Sequence, residues 1–148
     1  MKYTLRKATL EDANKLLRWK NDYTVRKYSI ASNERIKKEN HIRWLKKNID
    51  KIQIITDGKI DYGDIRLTDE IAIKIDKKYR GKGIGDWAIK QVKGDYVAKI
   101  VDGNVCSMRL FIKNGYLPVK YKFKKGVFYY ELRKQYVINT RRSKYSEQ

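Results

Sequence analysis

Six consecutive residues, Arg80-Gly81-Lys82-Gly83-Ile84-Gly85, restrict what this chain can become more than any other stretch. They follow an apolar, strand-type run, Ile71-Ala72-Ile73-Lys74-Ile75, and precede a helix-forming run from Asp86 to Lys93. A strand that passes into a helix through three glycines points to a crossover unit, which a purely helical or purely antiparallel fold does not contain. Glycine lets such a turn tighten and lets its amides approach a ligand closely. Where the turn opens a helix, free N–H groups and the positive end of the helix dipole face outward, which suits a phosphate. Arg80 and Lys82 add positive charge there. The segment lacks the spacing of a Walker loop and has no following hydroxyl for magnesium; it also lacks the Rossmann Gly-x-Gly-x-x-Gly pattern. Without a ligand, the same residues read as a plain Gly-rich connection.

The remaining elements fall around this unit. Residues Tyr3–Ala8 alternate as a half-buried strand. Thr9 is placed to cap a helix whose face is Ala13, Leu16 and Leu17 and which Asn21-Asp22 stops. Val25–Ser29 reads as an irregular or helical link, and Ser32 or Asn33 can cap a second helix over Glu34–Asn48. Three strands are expected next, Lys51–Thr56, Lys59–Leu67 and Glu70–Asp76, with Asp57-Gly58 as a hairpin turn between the first two. After the glycine turn comes a helix that Gly94 stops. Val97–Val101 has the low polarity of a central parallel strand. Asn104 caps a helix that ends at Asn114-Gly115, and Tyr116–Lys124 and Val127–Arg133 form a final hairpin around Lys125-Gly126. The expected order is β-α-α-β-β-β-α-β-α-β-β: one α+β domain over residues 1–134 with a mixed central sheet and flanking helices, then a basic tail over 135–148 of uncertain order.

The charge balance bears on partners. Lys and Arg number 36 against 17 acids, a formal charge of +19, which favours anionic partners and speeds their encounter. Nucleic acid is one such class, and twelve tyrosines fit it in a general way. No helix-turn-helix, zinc or ribonucleoprotein motif accompanies the charge, so nucleic acid is the less favoured class. One cysteine, Cys106, excludes an internal disulfide framework; it reads as a small packed side chain on the Asn104 helix. Residues 1–20 hold no unbroken apolar core of signal-peptide type and no run reaches membrane-spanning length, so the expected setting is cytoplasmic, with no membrane partner.

Two motifs in the right order carry a family resemblance. The strand, the Arg-Gly-x-Gly-Ile-Gly turn at 80–85 and the helix resemble the acetyl-coenzyme A loop of the GNAT acetyltransferases. Downstream, the segment holding Asn104, Ser107, Leu110, Phe111, Lys113, Gly115 and Tyr116 resembles that family's Asn-x-x-Ser-x-x-Leu-Tyr/Phe-x-Lys-x-Gly-Phe pattern. The resemblance covers Lys2 to Arg133 and implies an acetyl-CoA-dependent N-acetyltransferase. It assigns backbone contacts with the pantetheine arm to Ile73, Lys74 and Ile75. The pyrophosphate would lie on Arg80, Gly81, Lys82, Gly83, Ile84 and Gly85. Asn104 and Ser107 would meet the arm, and Lys113 the nucleotide end.

A second resemblance lies upstream. Leu17, Trp19, Asn21, Asp22, Val25 and Arg26, followed by His41 and Trp44, look like the N-terminal segment of acetyltransferases of pseudaminic-acid type, which act on nucleotide-linked amino sugars. The ribosomal-protein N-terminal acetyltransferases carry a looser version. The implied acceptor-site residues are Asn21, Asp22, Arg26 and His41, and the implied partner is a small-molecule amine. Pairing into a homodimer is left open. A primary amine must lose a proton before it attacks a thioester, and a carboxylate or His can take it. Glu70, His41 and Asp64 are the candidates for that base. The family often has Tyr as general acid where this chain has Phe111, so either another group serves or the thiolate leaves unprotonated. Lys77 replaces a common Pro, and the span from Gly85 to Asn104 is short.

Overall fold

The computed structural model describes residues 2–135. The tail expected over 135–148 lies, from residue 136 on, outside the described residues. The strands are β1 (Thr4–Lys7), β2 (Ile52–Thr56), β3 (Asp61–Leu67), β4 (Ile71–Ile75), β5 (Val97–Val101), β6 (Tyr116–Lys124) and β7 (Val127–Lys134). The helices are α1 (Ala13–Lys20), α2 (Tyr23–Lys27), α3 (Lys38–Asn48), α4 (Ile84–Gln91) and α5 (Val105–Lys113).

The first four strands form an antiparallel sheet in chain order, and the last three form a second antiparallel sheet in the order β5-β7-β6. The expected mixed sheet is thus two antiparallel sheets in contact. β5 is not paired along its length with a parallel neighbour: it pairs antiparallel with β7 and meets β4 at one parallel bridge, Glu70 with Val97. Beyond that bridge β4 and β5 run on unpaired with each other, in separate sheets. The hairpin turns follow the sequence. At Lys125 and Gly126 φ is 50° and 79°, the left-handed pair that a two-residue turn demands.

Helices cover both faces. Ile52 and Ile54 of β2 pack against Ala13, Leu16 and Trp19 of α1 and Leu45 of α3. On the opposite face Ile65, Ile71, Ala98, Ile100 and Leu132 pack against Ile89 of α4, the following Val92 and Phe111 of α5. Each of these Ile, Leu, Val and Phe side chains contributes about 1.5–3 kcal/mol through burial.

Two departures have local causes. The second helix begins at Lys38, not Glu34, and neither Ser32 nor Asn33 caps it. The Asn21 amide holds the backbone of Ile36 instead: its Oδ1 accepts the Ile36 N–H at 2.7 Å and its Nδ2 donates to the Ile36 carbonyl at 3.0 Å. That clasp fixes residues just before α3 in non-helical geometry. Asp22 does not merely end α1. Its carboxylate accepts the Thr24 and Val25 amides and so starts α2.

Candidate active site

The end of pairing between β4 and β5 leaves a slot, and the phase of the β3–β4 ladder decides what lines it. The Thr68 N–H bonds the Glu70 carbonyl at 2.9 Å, and the Asp76 N–H bonds the Tyr62 carbonyl at 2.8 Å. With register Asp64↔Lys74 and Arg66↔Ala72 between them, Glu70, Ala72, Lys74 and Asp76 turn their backbone groups toward β3. The alternate residues, Ile71, Ile73 and Ile75, turn theirs toward β5. At the closed end the Val97 N–H confirms this phase by bonding the Asp69 carbonyl at 3.0 Å. Ile73 therefore presents an N–H and a carbonyl to the open part of the slot, and Ile75 an N–H. Lys74, expected to share that duty, has its backbone on the β3 side. Its side chain lies on the α1/α3 face instead, 3.2 Å from Asp64.

The slot leads to the glycine turn. Gly81 and Gly83 have φ of 76° and 80°, and Gly83 is the left-handed N-cap of α4. A Cβ at either would meet nothing within 4 Å, so the backbone conformation, not crowding, demands glycine here. Gly85 is different: its Cβ would come within 3.1 Å of Leu110, so it seats α4 against α5. The first hydrogen bond of the helix runs from the Trp87 N–H to the Gly83 carbonyl, 3.0 Å. Helix geometry leaves the amides of Ile84, Gly85 and Asp86 without intrahelical partners. Lys82 is exposed at the turn, and Lys113 reaches it from α5, with Nζ 3.7 Å from Asp86. Arg80, expected among the phosphate contacts, is engaged by the fold. Its Nε donates to the Ile75 carbonyl at 2.9 Å and its Nη2 to Asp22 at 3.1 Å. Burial alone would raise the Asp22 pKa; Arg80 and the two capping amides override it and hold the carboxylate below its usual range.

A cleft of ≈ 550 Å³ lies beside this ion pair, lined by Asn21, Asp22, Arg26, Arg35, Lys77 and Arg80 among others. Three of the expected acceptor-site residues therefore do come together here, but as supports of the segment they sit on. Asn21 clasps Ile36, Asp22 caps α2, and Arg26 donates to the carbonyls of Asn21 and Asn33 at 3.0 and 3.2 Å. Asn104 likewise caps α5 by accepting the Ser107 N–H at 3.3 Å. Cys106 is exposed, not packed. Phe111 is buried edge-to-face against Tyr116, centroids 5.1 Å apart, so this position supplies no proton.

The three candidate bases are on the α1/α3 side, each already partnered. Glu70 is at the closed end of the slot, 2.7 Å from Lys99. Asp64 is 1% exposed and paired with Lys74. His41 is also 1% exposed, and its Nε2 is 3.1 Å from the Ala13 carbonyl. A carbonyl can only accept, so Nε2 carries the proton and Nδ1 the lone pair. Burial first, and the nearby Lys20 ammonium next, hold the imidazole pKa below its ordinary 6.5. His41 is the only histidine, which makes a prediction clean. The unfolded imidazole gains a proton below pH ~6.5 and the folded one resists it. The stability this contributes is therefore fully present above pH 6.5 and is lost as pH falls toward the folded pKa. Urea unfolding of wild type and His41→Gln between pH 5 and 7.5 should show a falling limb below 6.5 that the variant lacks.

Sequence reasoning missed Lys20, Arg66 and the use made of Trp44. Lys20 Nζ stands 3.3 Å over the Trp44 ring, and the Arg66 guanidinium is 5.5 Å from the same centroid. Burial, then the charges of Lys74 and Arg66, pull the Lys20 pKa down to about 8. Lys20 sits inside the Trp19-to-Asp22 motif, a signal that was available. Arg66 lies 46 positions further on, and only the fold brings the two together.

No family model and no curated protein matches the chain. Solved structures do. One is a protein from Salmonella typhimurium assigned as an acetyltransferase and solved with its cofactor acetyl-CoA: TM-score 0.74, 16% identity, 94% of this chain and 96% of that one covered. A GNAT-family acetyltransferase from Bacillus anthracis gives 0.73 at 19% identity over 90% and 94%. The ribosomal-protein-alanine N-acetyltransferase of Brucella melitensis gives 0.71 at 19% over 90% and 99%. At these identities the likeness is one of architecture. The chain has the fold of the GNAT acetyltransferases.

Proposed function

We propose that the protein is an N-acetyltransferase that moves an acetyl group from acetyl-CoA to a primary amine, with residues 1–134 as its catalytic domain. The observation that carries this reading is the slot: a free strand edge at Ile73 and Ile75 that leads directly to the Gly81–Gly83 turn and the N-terminus of α4. An amide-bearing arm can pair with such an edge as an extra strand would. A diphosphate suits the turn, where Lys82 and Lys113 flank free amides. Acetyl-CoA supplies both, together with a thioester whose acetyl group an amine can take. In that reaction the amine nitrogen bonds the carbonyl carbon, the C–S bond breaks and the amine gives up a proton. The Ile73 N–H, pointing into the slot, is the donor for the developing oxyanion.

The acceptor we favour is the amino group of a nucleotide-linked sugar, in a cytoplasmic enzyme; the formal charge of +19 supports an acidic acceptor. The Brucella neighbour motivates a second reading, transfer to a protein N-terminus. Thiol release from acetyl-CoA separates the two when a uridine diphosphate amino sugar and an alanine-starting peptide are offered in parallel. Turnover of the sugar alone supports the first and of the peptide alone the second. Turnover of neither, with no rise in melting temperature on adding coenzyme A, overturns the transferase reading.

A further inference from the structure

The α1/α3 side of the slot carries a charge pattern that the transferase reading does not use. Each carboxylate on the sheet surface there has a cation: Asp64 has Lys74, Glu70 has Lys99 at 2.7 Å, and Glu131 has Lys122 at 2.9 Å. Two further cations have none. Among the described residues, neither Lys20 nor Arg66 finds a carboxylate, and both stand against the one Trp44 ring. Arg66 Nε is buried without a hydrogen-bond acceptor, and Asp64 Oδ2 and His41 Nδ1 are buried without a donor. Both cations gain a contact with the indole face, and Lys20 also feels the Asp64 charge, yet neither has a carboxylate of its own at ion-pair distance.

We infer that Lys20 and Arg66, backed by Lys74 and set over Trp44, form a subsite for an anionic group of the acceptor, a carboxylate or a phosphate. The inference rests on the transferase reading for the word acceptor, and on geometry alone for the anion. Arg66 offers the planar fork and Lys20 the point charge, a pair that takes either oxyanion. The subsite lies on the face opposite α4 and borders the slot through Lys74, which follows Ile73 in β4. An acceptor anchored there by its acid brings an amine a few bonds away to the slot. The depressed Lys20 pKa agrees, since an arriving anion would raise it back toward its ordinary value.

The test has two layers. In calorimetry without cofactor, uridine diphosphate and glucuronate serve as the phosphate and carboxylate probes, and glucosamine as the neutral control. We expect at least one acidic probe to bind at least ten-fold more tightly than glucosamine. The preferred probe tells phosphate from carboxylate. Lys20→Gln/Arg66→Gln should abolish the preference, and Lys20→Arg should retain most of it. Coenzyme A affinity should change less than three-fold in all variants, which reports an intact domain. Uridine diphosphate can also enter the glycine turn, so its binding is repeated with coenzyme A saturating. Equal binding of acidic and neutral probes by wild type overturns the subsite, as does an unchanged preference in the double variant. Acetyl transfer is measured separately. Anion preference with neither turnover nor coenzyme A binding would sink the transferase reading and leave the subsite standing; turnover that ignores the acid on the acceptor would do the reverse.

Discussion

Gly83→Glu will abolish coenzyme A binding and leave the domain folded. Two effects act at this one position. Gly83 sits at φ 80°, where an L side chain costs about 1–2 kcal/mol. A carboxylate there also faces the free amides at the start of α4, where a diphosphate would otherwise lie. A Cβ at this position meets no protein atom within 4 Å, so the side chain leaves the backbone without a clash and the main cost to the fold is backbone strain. Calorimetry should show affinity reduced at least a hundred-fold. Gly83→Ala, strained but uncharged, should lose far less. Urea unfolding should show both variants within about 2 kcal/mol of wild type. If Gly83→Glu still binds coenzyme A as wild type does, the diphosphate is held elsewhere and the proposed function loses its main support.

Gly63→Ala should be the most destabilising small substitution in the chain. A Cβ at Gly63 would stand 2.1 Å from the Lys74 carbonyl oxygen and 2.9 Å from Ile75 Cα. Both are main-chain atoms of the paired strand, so no side-chain rotation can make room. β3 and β4 would have to separate where Asp64↔Lys74 and Gly63↔Ile75 pair. Such overpacking against backbone should cost more than about 3 kcal/mol, a large part of the 5–15 kcal/mol typical of a domain. The urea midpoint measures this directly. A loss below about 1 kcal/mol would mean the strands do not approach as described. Because Ile73 and Ile75 belong to the displaced strand, the slot should suffer with the fold.

Much of this arrangement was visible in one dimension. Strand, glycine turn and helix adjoin in sequence, so their geometry is local, as are the hairpins at Asp57-Gly58 and Lys125-Gly126. The parting of β4 from β5 was not visible. Val97–Val101 has the apolar character of a strand inside a sheet, but composition does not say that β7 will take the place beside it. Nor could residue type separate ligand contacts from fold contacts. Asn21, Asp22, Arg26 and Arg80 match a binding motif, yet the structure gives each a main-chain or ion-pair partner within the fold. Lys20 and Arg66 are the converse case. Each looks like an ordinary surface cation until α1, α3 and β3 set them around the same indole.

The lone Glu70–Val97 bridge has a mechanical corollary. A channel defined by where pairing stops has a width governed at its apex. One more rung of pairing between β4 and β5 would narrow it along its whole length, and one fewer would widen it, with every wall side chain unchanged. Substitutions at the apex alone would thus retune the thickness of what this channel admits, through residues that never touch the guest.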